Sequence, residues 1–341
     1  MAANIVRSDP AAEGIRRRRR GRGFSYLGTD TAVIKDSQTV TRIRSLVIPP
    51  AWEDVWICAD PLGHIQAVGT DAAGRRQYRY HDLWREQRDQ AKHDRVRDFG
   101  AVLPRIREVI CRHLEGRALT RDRVLAAAIR LIDLGFFRSG GEEYAEENGT
   151  FGLATIRKEH VSLSQGQLVF EYPAKGAKHR EQAVAEDQVC AVVRSLRRRR
   201  DGGDQLLVYR SGPRWHDVTA ADINDYLREV SGGDYTAKDF RTWHATVLAA
   251  VGLAVSEPAA GREAGRKRAI ARVVREVADY LGNTPAVARA SYIDPRIVEQ
   301  YEAGRTIAAA LGELGKDCDF GDLATRDHAE KAVLRLLAGH A

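Results

Sequence analysis

The chain has 341 residues, of which 43% are hydrophobic and 30% are charged, a composition typical of a soluble globular protein with room for two domains. It contains no run approaching the roughly 18 uncharged apolar residues that a membrane helix needs, and its first residues lack the apolar core of a secretory signal. We therefore predict a cytoplasmic protein without membrane association. Four scattered cysteines form no CxxC pair, which argues against a zinc site and a disulfide framework.

Positive charge is concentrated at the start of the chain. The net charge is +7, and residues 1–22 carry +5 of it, because seven arginines there face only Asp9 and Glu13. We predict that residues 1–22 form a disordered basic tail. Such a tail is able to bind phosphate groups, but a solvated leader without a role in the chemistry is an equally good interpretation.

Residues 24–80 have the pattern of a small antiparallel sheet. Short apolar runs (LVIPPAW, DVWICAD, GHIQAVG) are separated by turn residues, with Gly63 and Gly74 at the positions of hairpin turns. Residues 81–99 are highly charged and helical in pattern, as expected of a bridge between domains. We predict a β-rich domain over residues 23–92 and a mainly helical domain over residues 93–341.

Helical patterns dominate the second domain. Pro104 suits the first turn of a helix, and a second helix is predicted over 121–134. Three short strands follow, with turns at Gln165-Gly166 and at 174–177, before helices return from about residue 188. The predicted fold class is α+β: a small N-terminal antiparallel sheet, then a mainly α-helical domain that contains a small three-stranded sheet.

Capping signals define the last predicted helices. Thr236 and Asp239 have the spacing of a capping box, and Gly282 marks the end of a later amphipathic helix. Thr284-Pro285 and Asp294-Pro295 each combine an N-cap residue with a proline in the first turn, so they predict two consecutive helix starts.

Four segments contain residues suited to phosphate chemistry: LGFFRSGGEEYAEENGTFGLATIRKEHV, FEYPAKGAKH, TAKDFRTWHAT and LGNTPAVARASYID. Each alone has an ordinary structural explanation, such as a capping arginine, a turn lysine or a packing tyrosine. Together and in this order they resemble the catalytic segments of the type IB DNA topoisomerases, particularly the small bacterial and poxviral enzymes. The resemblance extends from about residue 23 to about residue 304, and includes the motif GRRQYRY in the β-rich domain.

The resemblance implies the fold and activity of that family. The helical domain is expected to have the fold shared by tyrosine recombinases and type IB topoisomerases. The protein is expected to act as a monomer that closes as a clamp around double-stranded DNA and to be associated with the nucleoid. It is expected to relax supercoils by nicking one strand, allowing the duplex to swivel, and resealing it without ATP, metal or another cofactor.

By position, the resemblance assigns catalytic roles to Arg138, Lys175, Arg241, Asn283 and Tyr292. Two guanidiniums suit the non-bridging oxygens of the scissile phosphate, because each offers paired donors and keeps its charge. The Asn283 amide adds one more donor. Tyr292 conserves the energy of the broken bond in a 3′-phosphotyrosyl link, so religation needs no ATP.

The leaving 5′ oxygen must be protonated as it departs, and the resemblance gives this general-acid role to Lys175. Lys178 flanks the same turn and remains an alternative acid. Tyr280 and Tyr301 are the alternative nucleophiles. The eukaryotic and poxviral enzymes have histidine where this chain has Asn283, so proton transfer by this residue is excluded here.

Four further residues are expected to contact DNA by resemblance: Gln77, Tyr78, Tyr80 and Tyr144. Strand alternation places Tyr78 and Tyr80 on one face and Gln77 on the other, although a loop would relax that rule. The family counterparts of these three residues meet the major groove, and the counterpart of Tyr144 contacts phosphate near the scissile bond.

Two other functions are considered. A tyrosine site-specific recombinase or integrase uses the same chemistry, but it typically carries HxxR, whereas this chain has Lys238-Asp239-Phe240-Arg241. Recombinases also have a helical N-terminal domain instead of a GRRQYRY sheet. A non-catalytic DNA-binding protein with a relic site would lack part of the catalytic set, and here the set is complete.

Overall fold

The computed structural model describes residues 4–135, 137–140, 150–164, 166–174, 178–256, 263–314 and 323–339. The chain divides into two compact units, Met1–Asp94 and Arg95–Ala341. The domain boundary predicted between residues 92 and 93 lies beside this division. Among the described helices, none is both long enough and apolar enough to cross a membrane.

The first unit is built on a five-stranded antiparallel sheet with the strand order β2-β1-β3-β4-β5. One helix, α1 (Ser37–Ser45), starts at the N-cap Asp36, whose carboxylate accepts from the amide of Thr39. The strands are β1 (Ile15–Arg20), β2 (Gly23–Leu27), β3 (Glu53–Ile57), β4 (Ile65–Thr70) and β5 (Arg76–Tyr80).

The two faces of this sheet carry separate apolar clusters, as strand alternation requires. Ile43 of α1 packs on one face against Ile15, Val55, Ile57 and Ala67. The opposite face carries Trp56, Cys58, Ile65 and Val68, with Tyr80 packed against them.

The predicted disordered tail is wrong for residues 15–20, which form strand β1 between β2 and β3. The strand accommodates its arginines because alternate side chains leave opposite faces. Arg17 is half-buried and donates to the carbonyls of Pro49 (3.0 Å) and Trp52, and it stacks on Phe24 with 4.2 Å from its guanidinium carbon to the ring centre. Its burial lowers the pKa of Arg17. Charge density alone therefore misidentified a paired strand as a solvated leader.

The second unit is mainly helical. Helix α2 (Asp82–Leu114) contains the division between the two units. The other described helices are α3 (Arg121–Gly135), α4 (Asp187–Arg198), α5 (Ala220–Ser231), α6 (Ala237–Ala254), α7 (Glu263–Leu281), α8 (Pro285–Ser291), α9 (Pro295–Glu302), α10 (Ala308–Leu314) and α11 (Leu323–Leu337). The predicted starts of α6, α8 and α9 and the predicted end of α7 at Gly282 are confirmed.

Pro104 lies inside α2, so the prediction that a helix starts there is wrong. An interior proline removes one helical hydrogen bond and costs ~3 kcal/mol. The helix continues because one continuous apolar stripe is buried on both sides of the proline. The stripe consists of Val96, Phe99, Leu103, Ile106, Ile110 and Leu114, each at most 2% exposed. Burial of these side chains outweighs the lost bond.

The small three-stranded sheet is present in the order β6-β7-β8, all antiparallel. Its strands are β6 (Val161–Ser164), β7 (Gln167–Ala174) and β8 (Lys178–Val184). The segment predicted as the first strand forms two 3-10 turns (Leu153–Thr155 and Lys158–His160) before β6 begins. A hairpin of β9 (Val208–Ser211) and β10 (Arg214–Asp217) was not predicted. The predicted α+β fold class is confirmed: an N-terminal antiparallel sheet is followed by a mainly helical unit that contains the three-stranded sheet.

Candidate active site

Helix α7 ends in a glycine turn that leaves its last carbonyls free for side-chain donors. Gly282 has φ of 63°, a left-handed conformation that glycine adopts without a Cβ penalty. The amide of Asn283 donates to the carbonyl of Ala278 at 2.8 Å, the long bond of a Schellman cap. The carbonyls of Tyr280, Leu281 and Gly282 therefore point out of the helix end and need other partners.

Two of the predicted arginines supply those partners. Nη2 of Arg241 donates to the Leu281 carbonyl at 2.8 Å. Nη2 of Arg138 lies 3.3 Å from the Gly282 carbonyl and 3.0 Å from Oδ1 of Asn283. The negative end of a helix dipole favours cations at this position. The end of α7 thus gathers three of the predicted catalytic residues around one short turn.

Arg241 is fixed by the start of α6. The helix begins at Thr236, whose hydroxyl and amide both donate to the carboxylate of Asp239, at 3.0 and 2.8 Å. Phe240 and Trp243 are fully buried beside Arg241 and anchor this part of the helix in the core. Arg241 itself is only 4% exposed, so its rotamer is set by packing as well as by its hydrogen bonds.

The charge of Arg241 is held in an unfavourable environment. Burial, followed by repulsion from Arg138, lowers the pKa of Arg241 to about 10, while the side chain of Tyr292 opposes the shift. Repulsion from Arg180 lowers the pKa of Arg241 further. The protein therefore places a desolvated arginine beside other positive charges, which an incoming phosphodiester would compensate.

Tyr292 lies where two short helices meet. Its amide donates to the Ala288 carbonyl at 3.0 Å and so closes α8. The hydroxyl of Thr246 lies 3.4 Å from the Tyr292 carbonyl and 3.2 Å from the amide of Asp294, the N-cap of α9. The half-buried ring stands 5.5 Å from the guanidinium carbon of Arg241. The backbone around the tyrosine is thus fixed on both sides while its side chain faces the arginines.

Arg138 is held by a close backbone approach. Its carbonyl accepts from the amide of Leu153 at 2.8 Å, in the first 3-10 turn. A Cβ placed on Gly152 would lie 2.3 Å from the Cα of Gly140. The two backbone segments could therefore not approach this closely with any other residue at position 152. Gly140 and Gly152 therefore position the arginine.

The Asn283 side chain makes one contact and leaves one group free. Its Oδ1 accepts from Arg138, whereas its Nδ2 is buried and has no hydrogen-bond partner in the described part of the chain. A buried donor without a partner is costly and uncommon in native proteins. This unpartnered donor lies on the residue whose Oδ1 accepts from Arg138.

The sequence-based reasoning missed Arg180 and Tyr172. They face each other across β7 and β8, the strands that precede and follow Lys175 in the sequence. Nη2 of Arg180 lies 3.4 Å from the Tyr280 carbonyl, so a third arginine reaches the end of α7. Burial raises the pKa of Tyr172, and the nearby arginines oppose this. The pairing of β7 with β8 brings these two residues to the site, and this pairing is not evident from the sequence around either residue.

A cavity of about 450 Å³ opens between the β7–β8 strands and the end of α7. Its walls include both a positively charged and an aromatic part. They are formed in part by Arg138, Arg180, Tyr172, Tyr280 and Gly282.

The structure brings together Arg138, Arg241, Asn283 and Tyr292. Lys175 and Tyr144 lie outside the described residues. Of the alternative nucleophiles, Tyr301 is 2% exposed, and Tyr280 is 45% exposed on the last turn of α7.

The three predicted DNA contacts of the first unit lie on β5. Tyr78 and Tyr80 share one face and stack, with 6.1 Å between ring centres. Gln77 lies on the opposite face and donates to Oδ2 of Asp71 at 2.9 Å. The predicted alternation is confirmed.

Comparison with known proteins gives two family matches. A family of eukaryotic DNA topoisomerase I catalytic cores matches residues 81–313, and a family of bacterial DNA topoisomerase IB N-terminal domains matches residues 23–71. DNA topoisomerase 1B of Acanthamoeba polyphaga mimivirus is 30% identical over 298 residues, which is 85% of this chain and 88% of the viral protein. DNA topoisomerase 1B of vaccinia virus (strain Copenhagen) is 23% identical over 271 residues, 78% of this chain and 80% of the relative.

The chain belongs to the type IB DNA topoisomerases. As a member of this family it is an enzyme that relaxes supercoiled DNA. This membership decides against the site-specific recombinase and the non-catalytic DNA-binding protein.

Proposed function

We propose that the enzyme relaxes duplex DNA by a transient single-strand break in which Tyr292 is the nucleophile. The phenolic oxygen attacks the scissile phosphorus and loses its proton to water, and the bond to the 5′ oxygen breaks. A 3′-phosphotyrosyl link and a free 5′ hydroxyl result. After the duplex swivels, the hydroxyl attacks the link and restores both the DNA and the tyrosine.

The observation that carries this proposal is the convergence of Arg138, Arg241 and Asn283 beside Tyr292. Two guanidiniums and an unpartnered amide offer donors to the non-bridging oxygens, where negative charge develops during transesterification. The buried setting of Arg241 strengthens its interaction with an anion, because water screens it little.

Lys175 is proposed as the general acid that protonates the departing 5′ oxygen, with Lys178 as the alternative. This assignment rests on the family pattern and on the place of Lys175 in the sequence between β7 and β8, the strands that carry Tyr172 and Arg180. Tyr144 is proposed to contact phosphate near the scissile bond, and Gln77, Tyr78 and Tyr80 to contact the major groove. The hydrogen bond from Gln77 to Asp71 means that this residue must exchange partners to reach DNA.

The proposed reaction uses neither ATP nor metal. The energy of the broken bond is conserved in the phosphotyrosine. Fixed cations stabilise the developing charge, as a bound metal ion does in metal-dependent nucleases. We further propose a monomer that closes around the duplex.

Relaxation of a supercoiled plasmid in EDTA without ATP tests this function. The wild-type protein should relax the plasmid completely at substoichiometric concentration. A requirement for added Mg²⁺ or ATP would contradict the proposal.

A further inference from the structure

The five consecutive arginines of β1 are divided between the two faces of the sheet. Ile15 pairs with Ile57 and Arg16 pairs with Trp56, which fixes the alternation. Arg17 and Arg19 therefore share the face of Ile15 that is covered by α1, whereas Arg16, Arg18 and Arg20 lie on the other face.

The second face is the one that carries the two tyrosines of β5, and we call it the tyrosine face. The register gives a transverse row across four strands, because Arg16 pairs with Trp56, Trp56 with Val68, and Val68 with Tyr78. Directly paired residues of neighbouring strands point to the same side of a sheet. Arg16, Arg18 and Arg20 thus lie on the same side as Tyr78. The buried Trp56 and Val68 lie between them and Tyr78.

The centre of the tyrosine face is closed and its two sides are open. Nε1 of Trp56 donates to the Ala12 carbonyl at 3.0 Å, so the segment before β1 covers this ring. Tyr78 remains 43% exposed at one side. Arg16, Arg18 and Arg20 are exposed at the other side.

The charges of these three arginines are not used within the unit. Across the described ranges of the chain, no carboxylate lies within ion-pair distance of Arg16, Arg18 or Arg20. Arg17 provides the contrast, because its guanidinium is bound by backbone carbonyls and a ring. Arg17 thus stabilises the fold, whereas Arg16, Arg18 and Arg20 form a row of three unpaired cations on the tyrosine face.

The dimensions of this row fit a duplex. Three strand spacings of about 4.8 Å separate β1 from β5, or roughly 14 Å, which is close to the ~12 Å width of the major groove. Alternate side chains along β1 are separated by about 6.7 Å, so three arginines form a line of charge that follows one backbone.

We propose that Arg16, Arg18 and Arg20 bind successive phosphates of the DNA strand that borders the groove contacted by Tyr78. The proposal rests on the proposed function for the placement of the tyrosines in the groove. The partner is the phosphate backbone of duplex DNA, so the contribution is independent of base sequence and sensitive to salt.

The test measures noncovalent binding of a short fluorescein-labelled duplex by anisotropy, over a series of salt concentrations, in a Tyr292→Phe background. One variant carries Arg16→Gln, Arg18→Gln and Arg20→Gln. The matched control carries Arg197→Gln, Arg198→Gln and Arg200→Gln, which removes the same charge from exposed positions in the second unit. The β1 variant should lower the slope of log K against log salt by about 2–3, since each phosphate contact contributes ~0.9. The control should change it by less than 1.

Single substitutions separate the two faces. Arg18→Gln should weaken binding and lower the slope, whereas Arg19→Gln, an exposed neighbour on the opposite face, should leave the slope unchanged. Equal slopes for the β1 and control variants, or equal effects of Arg18→Gln and Arg19→Gln, would overturn the proposal. Thermal unfolding of each variant shows whether its fold is intact. A folded β1 variant that loses affinity without a change of slope would also contradict the proposal. Adduct formation is measured separately at saturating DNA in variants that retain Tyr292. This second measurement tests the proposed chemistry independently of the binding result.

Discussion

The guanidinium carbon of Arg241 lies 5.5 Å from the centre of the Tyr292 ring. The same guanidinium donates to the Leu281 carbonyl at the end of α7. One buried cation therefore joins the proposed nucleophile to the helix end that also holds Arg138 and Asn283. Any substitution that moves Arg241 should disturb cleavage before it disturbs DNA binding.

The arginine pair is tested by truncation. Arg138→Ala and Arg241→Ala should each slow single-turnover cleavage by roughly 10²–10³, the usual cost of losing one transition-state donor, with little loss of noncovalent affinity. Lysine at either position should restore only part of the rate, because one ammonium does not reproduce two parallel donors. Arg335→Ala, at an exposed position on α11, is the control. Normal cleavage with weak binding would make the pair phosphate anchors only.

The amide of Asn283 predicts an ordered series of rates. Asn283→Ala removes the unpartnered Nδ2 donor and should slow cleavage by about 10²–10³. Asn283→Asp keeps an acceptor for Arg138 but places a negative charge beside the scissile phosphate, so it should be slower still. The comparison is made by single-turnover cleavage at saturating enzyme. An aspartate variant faster than the alanine variant would show that the residue acts through its acceptor oxygen.

Lys175 is tested through the leaving group. Lys175→Ala should slow cleavage of ordinary DNA by about 10²–10⁴, the usual contribution of general acid catalysis. A substrate with a 5′-bridging sulfur leaves as a thiolate that needs no proton, so the variant should cleave it at nearly the wild-type rate. Arg241→Ala should stay slow on the same substrate, because phosphoryl charge still needs stabilisation. Failure of the rescue would give the role to Lys178 or make Lys175 an electrostatic contact.

A buried ion cluster near the start of α6 predicts a pH-dependent stability. Asp133 is 1% exposed and accepts from Arg107 at 2.9 Å, from Arg130 at 2.5 Å and from Nε2 of His244 at 3.0 Å. These donors outweigh the effect of burial and hold the pKa of Asp133 well below its ordinary value. Asp133→Asn should lower the free energy of unfolding at neutral pH by about 3–5 kcal/mol, because buried cations lose their counter-ion.

The lowered pKa of Asp133 determines how the free energy of unfolding changes with pH. An ionised Asp133 stabilises the fold above its unfolded pKa of about 3.9, and this stabilisation is lost as pH falls through the folded value. Urea unfolding between neutral and acid pH should therefore show a smaller acid-induced loss for Asp133→Asn than for the wild type. Asp225→Asn, at an exposed position on α5, should behave as the wild type. Parallel pH profiles for Asp133→Asn and wild type would contradict this assignment.

The sequence predicts which residues lie near one another better than it predicts the local structure around them. Arg138, Arg241, Asn283 and Tyr292 lie in long motifs whose order was sufficient to group them. Capping chemistry also gave correct helix ends, because Thr236, Asp294 and similar residues act through bonds to their immediate neighbours. These signals are local, and so a single sequence contains them.

The features that were missed depend on partners far along the chain. Arg180 reaches the end of α7 only through the β7–β8 register and the packing of the hairpin. The β1 arginines look like a solvated run until strand pairing assigns them alternate faces. Pro104 looks like a helix start until burial of the stripe on both sides is known. In each case tertiary packing overrides a correct local tendency.

The central claim is that Tyr292 forms the covalent link to DNA. The direct measurement is denaturant trapping of the wild-type protein and Tyr292→Phe on a suicide duplex whose scissile strand is labelled at its 5′ end, followed by peptide mapping of the adduct. The wild type should give a labelled tryptic peptide attached through Tyr292 to a 3′ phosphate. Tyr292→Phe should bind the duplex with unchanged affinity and give no adduct, since it lacks only the phenolic oxygen. An adduct formed by Tyr292→Phe, or a wild-type adduct mapped to Tyr280 or Tyr301, would contradict the account.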